Sequence, residues 1–159
     1  MREIKLTQNK IALVDDEDFE FINQYKWHYS KSSKNYGRAK ASQGKRNTLI
    51  TMHKLLMNPP KGMEVDHING DPLDNRRANL RIVTHGQNQK NMKISADNKS
   101  GYKGVSWHKK ANKWQAHIRL KCASKYLGLF TDIKEAAKAY NSAALEHFGE
   151  FARLNDIKD

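Results

Sequence analysis

Apolar residues in this chain come in short runs, each cut off within a few positions by Gly, Pro, Asn or a Lys/Ser-rich turn. Only one stretch, near the C-terminus, keeps helical spacing over several turns. Runs of roughly four to eight apolar-patterned residues bounded by turn formers are the mark of strands joined in hairpins. The pattern therefore points to an α+β fold of small antiparallel sheets carrying a few helices. A length of 159 residues allows one ordinary domain or two small ones, each with a modest core. Only 38% of the residues are hydrophobic, but 3 Trp, 6 Tyr and 5 Phe supply folding anchors, which argues against wholesale disorder. No apolar run approaches the ~20 residues that span a bilayer. The N-terminus shows no apolar segment after its charges, so neither a secretory leader nor a membrane partner is expected. The lone cysteine, Cys122, excludes an internal disulfide framework and a multi-cysteine zinc site, in keeping with a reducing cytoplasm.

Residues 4–6 and 11–14 read as strands joined by a polar turn. Asp15-Asp16-Glu17-Asp18 then offers an N-cap and an acidic first turn, and Phe19, Ile22 and Tyr25 recur at helical spacing. Strands follow at 27–29, 36–41 and 48–51, then a helical turn at 52–57 stopped by Asn58-Pro59-Pro60. Residues 64–68 and 80–83 read as two further strands around a polar loop opened by Asn69-Gly70-Asp71-Pro72. Thr84-His85-Gly86-Gln87 is a capping box that starts a helix. Residues 95–99 form a polar linker. Beyond it, strands at 105–107, 114–120 and 126–130 precede a second box, Asp132-Ile133-Lys134-Glu135. That box opens a helix with Ala136, Ala137, Tyr140, Ala143, Ala144 and Phe148 on one face, ended by Gly149.

The net charge of +12 points to a polyanionic partner, most simply nucleic acid. The charge is unevenly placed. Residues 21–63 carry nine Lys or Arg and no acid: Lys26, Lys31, Lys34, Arg38, Lys40, Lys45, Arg46, Lys54 and Lys61. Residues 98–131 carry eight and no acid: Lys99, Lys103, Lys109, Lys110, Lys113, Arg119, Lys121 and Lys125. Aromatics are interleaved with both. Between them, residues 65–95 hold five basic and three acidic side chains.

That middle segment carries the residues suited to catalysis: Asp66-His67, then Asp74-Asn75-Arg76-Arg77-Ala78-Asn79, then Asn88. Hydrolysis of a phosphodiester needs a base for water, a cation for the charge on phosphate and leaving oxygen, and a group that holds the base. Histidine suits the first task near neutral pH. A hard cation such as Mg²⁺ takes oxygen ligands, which Asp66 and an asparagine could supply. Neighbours on an ideal strand face opposite ways, so Asp66 and His67 need a twist or a strand end to share one site. Taken singly these residues fit a polar turn, with Asn75 and Asn79 satisfying loop backbone.

Asp66-His67, Asn79 and Asn88, with Met52-His53-Lys54-Leu55 upstream, resemble the three motifs of the HNH (ββα-metal) endonucleases in their phage and homing form. The match covers residues 51–93. The resemblance implies Asp66 and Asn88 as metal ligands, His67 as general base and Asn79 as the side chain that accepts from its ring. It implies one Mg²⁺ or Mn²⁺ ion per active site, since an amide oxygen stands where many relatives use His. His85 is a lesser rival for a site role, and His53 either buttresses the site, meets a phosphate or lies on a helix surface. Arg76, Arg77 and Arg81 are candidate phosphate contacts.

Residues 99–155 resemble the plant ethylene-response-factor (Apetala-type) DNA-binding domain, through Tyr102-Lys103-Gly104-Val105, Lys113-Trp114-Gln115-Ala116-His117-Ile118-Arg119 and Tyr126-Leu127-Gly128-Leu129-Phe130. The resemblance implies a three-stranded antiparallel sheet on one helix, laid in the major groove. Lys103, Ser106, His117, Arg119, Lys125 and Tyr126 fall at its contact positions; Trp107 and Trp114 are expected in the core. Together these readings give an N-terminal β-rich extension (1–50), a nuclease module (51–94), a linker (95–99) and a DNA-binding domain (100–155). The expected function is a site-specific endonuclease acting on double-stranded DNA as a monomer or homodimer, in the cytoplasm of a bacterial or phage-infected cell. The rival is a DNA-binding regulator with an inactive nuclease module; an RNA-directed protein fits the charge but not the C-terminal module.

Overall fold

A computed structural model describes residues 1–33, 36–43, 48–95, 97–120 and 123–158. Cys122 and the basic residues Lys34, Lys45, Arg46 and Lys121 lie outside the described residues. The chain divides into two compact units, Met1–Asn88 and Gln89–Asp159, and mixes helices with small antiparallel sheets, the α+β class expected.

In the first unit, β1 (Arg2–Lys5) and β2 (Ile11–Val14) form a hairpin. Gln8 and Asn9 both take positive φ, 61° and 52°, in the turn between them. Helix α1 (Asp16–Asn23) follows. Its N-cap residue, Asp15, makes no side-chain cap; the carboxylate instead accepts from the Arg77 N–H at 2.7 Å. The capping expected from the acidic run is thus diverted to a distant loop. Strands β3 (His28–Ser33), β4 (Tyr36–Gln43) and β5 (Thr48–Thr51) make a second antiparallel sheet. Helix α2 (Met52–Met57) stops at Asn58, which turns left-handed (φ 41°) before the two prolines. A further hairpin joins β6 (Glu64–His67) to β7 (Leu80–Val83), with a 3₁₀ turn at Arg77–Asn79 leading into β7. Helix α3 (His85–Lys90) comes next. One buried cluster, including Ile4, Val14, Ile22, Trp27, Ala41, Met52, Leu56, Val65 and Leu80, unites these pieces.

The N-terminal hairpin does more than fill the core. The Leu13 N–H donates to Leu73 O and the Asn75 N–H donates to Leu13 O, both at 2.8 Å. β2 therefore clamps the polar loop between β6 and β7 from outside.

In the second unit, β8 (Val105–His108), β9 (Lys113–Arg119) and β10 (Ser124–Phe130) form an antiparallel sheet with β9 central. Helix α4 (Ile133–Phe148) buries Ala136, Ala137, Tyr140, Ala143 and Ala144. Ala136 and Ala137 cluster with Val105 and Ala116, and the other three with Ile118. Small side chains on that stripe let the helix lie close to the sheet. Asp132 caps α4 by accepting from the Lys134 N–H at 2.8 Å, while Glu135 pairs with Lys138 rather than closing the box. Trp107 departs from the expected core position. It is 42% exposed and lies edge-on to Trp114, ring centres 4.9 Å apart, near the end of β8 where helix cover has run out. Among the described residues no helix is long and apolar enough to cross a membrane.

Gly104 has φ +77°, and a Cβ there would fall 2.1 Å from Tyr140 Cδ2 and 2.6 Å from the His117 carbonyl oxygen. Strain and overpacking coincide, so Gly104→Ala is expected to cost about 2–4 kcal/mol. Urea unfolding followed by far-UV circular dichroism checks it: Gly104→Ala lowers the midpoint, whereas Gly86→Ala, whose Cβ meets nothing within 4 Å, holds or raises it.

Candidate active site

The β6–β7 register pairs Glu64 with Val83, Asp66 with Arg81 and His67 with Leu80. Alternation places Glu64, Asp66 and Arg81 on one face and Val65 and His67 on the other. His67 is the last residue of β6, and the chain turns at once, the Gly70 N–H donating to His67 O at 2.8 Å. Asp66 and His67 are both buried, at 6% and 3% exposure.

The His67 ring is held on two sides. The His53 ring from α2 meets it edge-on at 5.0 Å. Asn75 Oδ1 stands 3.3 Å from His67 Nε2. Asn75 is wholly buried, and its amide nitrogen donates to Leu73 O at 3.1 Å, so its oxygen is the atom turned to the ring. An acceptor at Nε2 means that Nε2 carries the hydrogen, and in a neutral ring the lone pair then sits on Nδ1. Burial lowers the His67 pKa; the Asn75 hydrogen bond and the Asp66 charge oppose that shift. Burial, followed by the charges of His67 and Arg38, pushes His53 down to about 3. Both rings are therefore neutral at physiological pH.

Asn79, expected on the His67 ring, is engaged elsewhere. Its Oδ1 accepts from the Asn69 N–H at 3.0 Å, and its Nδ2 donates to Asn69 Oδ1 at 3.1 Å and to Asp74 O at 2.8 Å. Asn79 ties the loop together, and Asn75 meets the ring. The spacing of the sequence marks Asn75 only as a loop residue, because the bond that positions it comes from β2. His53, by contrast, takes the buttressing role among those open to it.

On the other face, Arg81 Nε and Nη2 both donate to Asp66 Oδ2, at 3.0 and 2.8 Å. Asn88, from α3, donates its amide hydrogen to Glu64 Oε2, and His85 Nδ1 donates to Glu64 Oε1 at 2.8 Å. The Asn88 and His85 bonds together hold the Glu64 carboxyl below its ordinary pKa. The capping box that starts α3 is formed reciprocally: Thr84 N–H to Gln87 Oε1 at 2.8 Å and Gln87 N–H to Thr84 Oγ1 at 3.3 Å. Among the described residues, no three His, Cys, Asp or Glu side chains converge on one point. Of the two side chains expected at the ion, Asp66 is held by Arg81 and Asn88 by Glu64; a carboxylate and an amide oxygen are donors of the kind a hard cation takes.

The arginines expected on phosphate meet carboxylates instead. Arg76 forks onto Asp74, with both bonds at 2.7 Å, and Arg77 forks onto Asp18 at 2.8 and 2.7 Å. Arg76 and Arg77 thus make the two-oxygen fork that guanidinium geometry favours, while Arg81 brings two donors to one oxygen of Asp66. In the second unit, Lys103 is mostly withdrawn, its ammonium donating to Lys90 O at 2.7 Å and Met92 O at 2.9 Å; burial, then Arg153, lowers its pKa to about 8. Arg119, Lys125, Tyr126 and Ser106 are exposed. Lys125 lies 3.3 Å from His147 Nε2, Ser106 accepts from Gln115 Nε2 at 3.1 Å, and the His117 ring lies 5.3 Å from that of Tyr126.

Residues 57–90, the span containing this hairpin and helix, match the HNH endonuclease family model. An uncharacterized HNH endonuclease of Acanthamoeba polyphaga mimivirus is 32% identical over 150 residues, covering 92% of this chain and 75% of the relative. The chain belongs to the HNH endonuclease family. Protein 3.8 of Escherichia phage T7 is also similar to this HNH endonuclease, at 34% identity over 95 residues, 60% of the chain and 78% of the phage protein. No solved structure matches it. Membership makes the protein a nuclease, and HNH nucleases generally use a divalent metal ion.

The neutral His53 ring has a consequence for stability. Its folded pKa of about 3 lies below the ~6.5 of an unfolded histidine, so only the unfolded chain takes up the proton between those values. The stability is fully present above pH ~6.5 and falls as the pH drops toward 3, by at most about 1.4 kcal/mol per pH unit from this residue. Urea unfolding at pH 7 and pH 5 should show the loss, and His53→Gln should flatten it.

Proposed function

We propose that this HNH endonuclease is a site-specific DNA endonuclease of homing or phage type that hydrolyses phosphodiester bonds with His67 as general base. The buried, neutral His67 ring, its hydrogen placed on Nε2 by Asn75, supports this reading best. Nδ1 takes a proton from water, the water oxygen attacks phosphorus, and the bond to the 3′ oxygen breaks; the departing oxygen takes a proton from solvent, leaving 5′-phosphate and 3′-hydroxyl ends. Asp66 and Asn88 are the residues that would hold one Mg²⁺ or Mn²⁺ ion; such an ion, when bound, neutralises charge on the phosphate and the leaving oxygen. Asn75 sets the tautomer of the base, His53 packs behind it, and Asn79 keeps the loop closed. Arg81, which donates to Asp66 across the hairpin, is the arginine that would stand nearest a phosphate held at Asp66.

DNA recognition is assigned to the second unit, residues 100–155, through its likeness to the ethylene-response-factor domain. The exposed side chains of its sheet, Ser106, Trp107, Arg119, Lys125 and Tyr126, combine cations, a hydroxyl and aromatic surface. The acid-free run over 98–131 adds attraction for phosphate. Residues 51–94 form the nuclease module and 1–50 its structural support, with 95–99 as linker. The substrate is double-stranded DNA in the cytoplasm of a bacterial or phage-infected cell, bound by a monomer or a homodimer. One HNH site cuts one strand at a time, so a double-strand break takes two protomers or two events.

Plasmid cleavage in Mg²⁺, against an EDTA control, tests the reading. Cutting is expected to disappear with EDTA and to fall roughly 10²–10⁴-fold in His67→Ala; Asn75→Ala should lose less than His67→Ala. Cleavage that survives His67→Ala would reject the base, and failure of the wild type on its own flanking locus would count against the function. Arg119→Ala should raise the protein concentration needed for cutting, with the rate at saturating protein unchanged.

A further inference from the structure

An asparagine can serve a cation only through its amide oxygen, since the –NH₂ end carries hydrogens and offers no lone pair. Of the two flips of such a side chain one is useful and the other repels, so a ligand asparagine needs a neighbour that chooses. In this chain the Asn88 Nδ2–H is taken by Glu64 Oε2, an atom that can only accept while the carboxylate is ionised. The opposite oxygen, Glu64 Oε1, is held by His85 Nδ1 at 2.8 Å, so the carboxylate is pinned from both ends by one short helix. Glu64 stands on β6 two residues before Asp66, on the same face of the strand.

Resting on the assignment of Asn88 as an ion ligand, we propose that Glu64 is a positioning residue: it fixes the flip of Asn88 so that the oxygen, not the nitrogen, is offered to the cation shared with Asp66. Partners that orient a metal ligand through its non-coordinating end are a recurrent feature of metal sites. Here that partner is an acid on the strand rather than a residue of the helix, which ties the ligand on α3 to the ligand on β6 through one side chain.

Mn²⁺ binding to the full chain, followed by electron paramagnetic resonance, tests this without reference to cleavage. Asn88→Ala weakens binding. Glu64→Ala is expected to weaken it about 10–100-fold, and Glu64→Gln, whose amide oxygen can accept the same hydrogen bond, to stay within a few-fold of wild type. The double variant Glu64→Ala/Asn88→Ala should bind no worse than Asn88→Ala alone. The Glu64 side chain is 36% exposed, so its removal is expected to lower the melting temperature by only a few degrees and to leave the chain folded for the binding measurement. Unchanged affinity in Glu64→Ala beside weakened Asn88→Ala overturns the proposal. Equal losses in Glu64→Gln and Glu64→Ala also overturn it, because they would make the charge of Glu64 itself the requirement. Unchanged affinity in Asn88→Ala rejects the ligand assignment, and this proposal falls with it.

Discussion

A buried imidazole beside a buried carboxylate is tolerated only where each polar group finds a partner, and much of the first unit answers that demand. His67 finds Asn75 and His53; Asp66 finds Arg81. Neither solution is local. Asn75 is fixed by a carbonyl two residues back and a strand more than sixty residues upstream, and His53 arrives on a helix that follows a different sheet. His67 and Asp66 thus lie where two hairpins and a helix meet, and the hydrophobic cluster running from Ile4 to Leu80 holds those pieces at fixed distance.

Charge pairing follows one scheme in that unit. Asp18, Asp66 and Asp74 are nearly buried, and each is met by an arginine fork, from Arg77, Arg81 and Arg76 respectively. A carboxylate withdrawn from water is costly alone, and the planar guanidinium satisfies both oxygens or both of its own donors at once. Two of these pairs hold the loop and its approach to β7. The third ties Asp66 on β6 to Arg81 on β7 across the hairpin. A basic chain therefore spends some of its arginines on internal order, which leaves attraction for a polyanion to lysines and to the second unit.

Periodicity and capping made most of the architecture legible. The capping box at Thr84 forms as written, the Asn58-Pro59-Pro60 stop falls where the helix ends, and the alanine stripe of α4 faces the sheet. These are local signals, decided within a few residues. What the sequence could not disclose depends on contacts across long separations. Asn75 and Asn79 lie four positions apart in a loop without periodicity, and the choice between them is made by Leu13. Arg77 reads as a phosphate contact until Asp18, 59 residues away, is beside it. Glu64 looks like an ordinary strand acid, since its two partners are on a helix 21 and 24 residues later. Trp107 shares the face of buried Val105, and alternation does not say where the helix above stops covering the strand.

The clamp by β2 bears on how portable such a nuclease is. The segment by which the family is matched, residues 57–90, contains the hairpin, the loop and the helix but none of residues 11–14. It also starts after His53. Moved alone into another protein, it would bring Asp66 and His67 without the strand that seats Asn75 or the ring that backs His67. Fusing this enzyme to another protein therefore calls for a cut on the far side of α3, with the N-terminal hairpin carried along as part of the same unit.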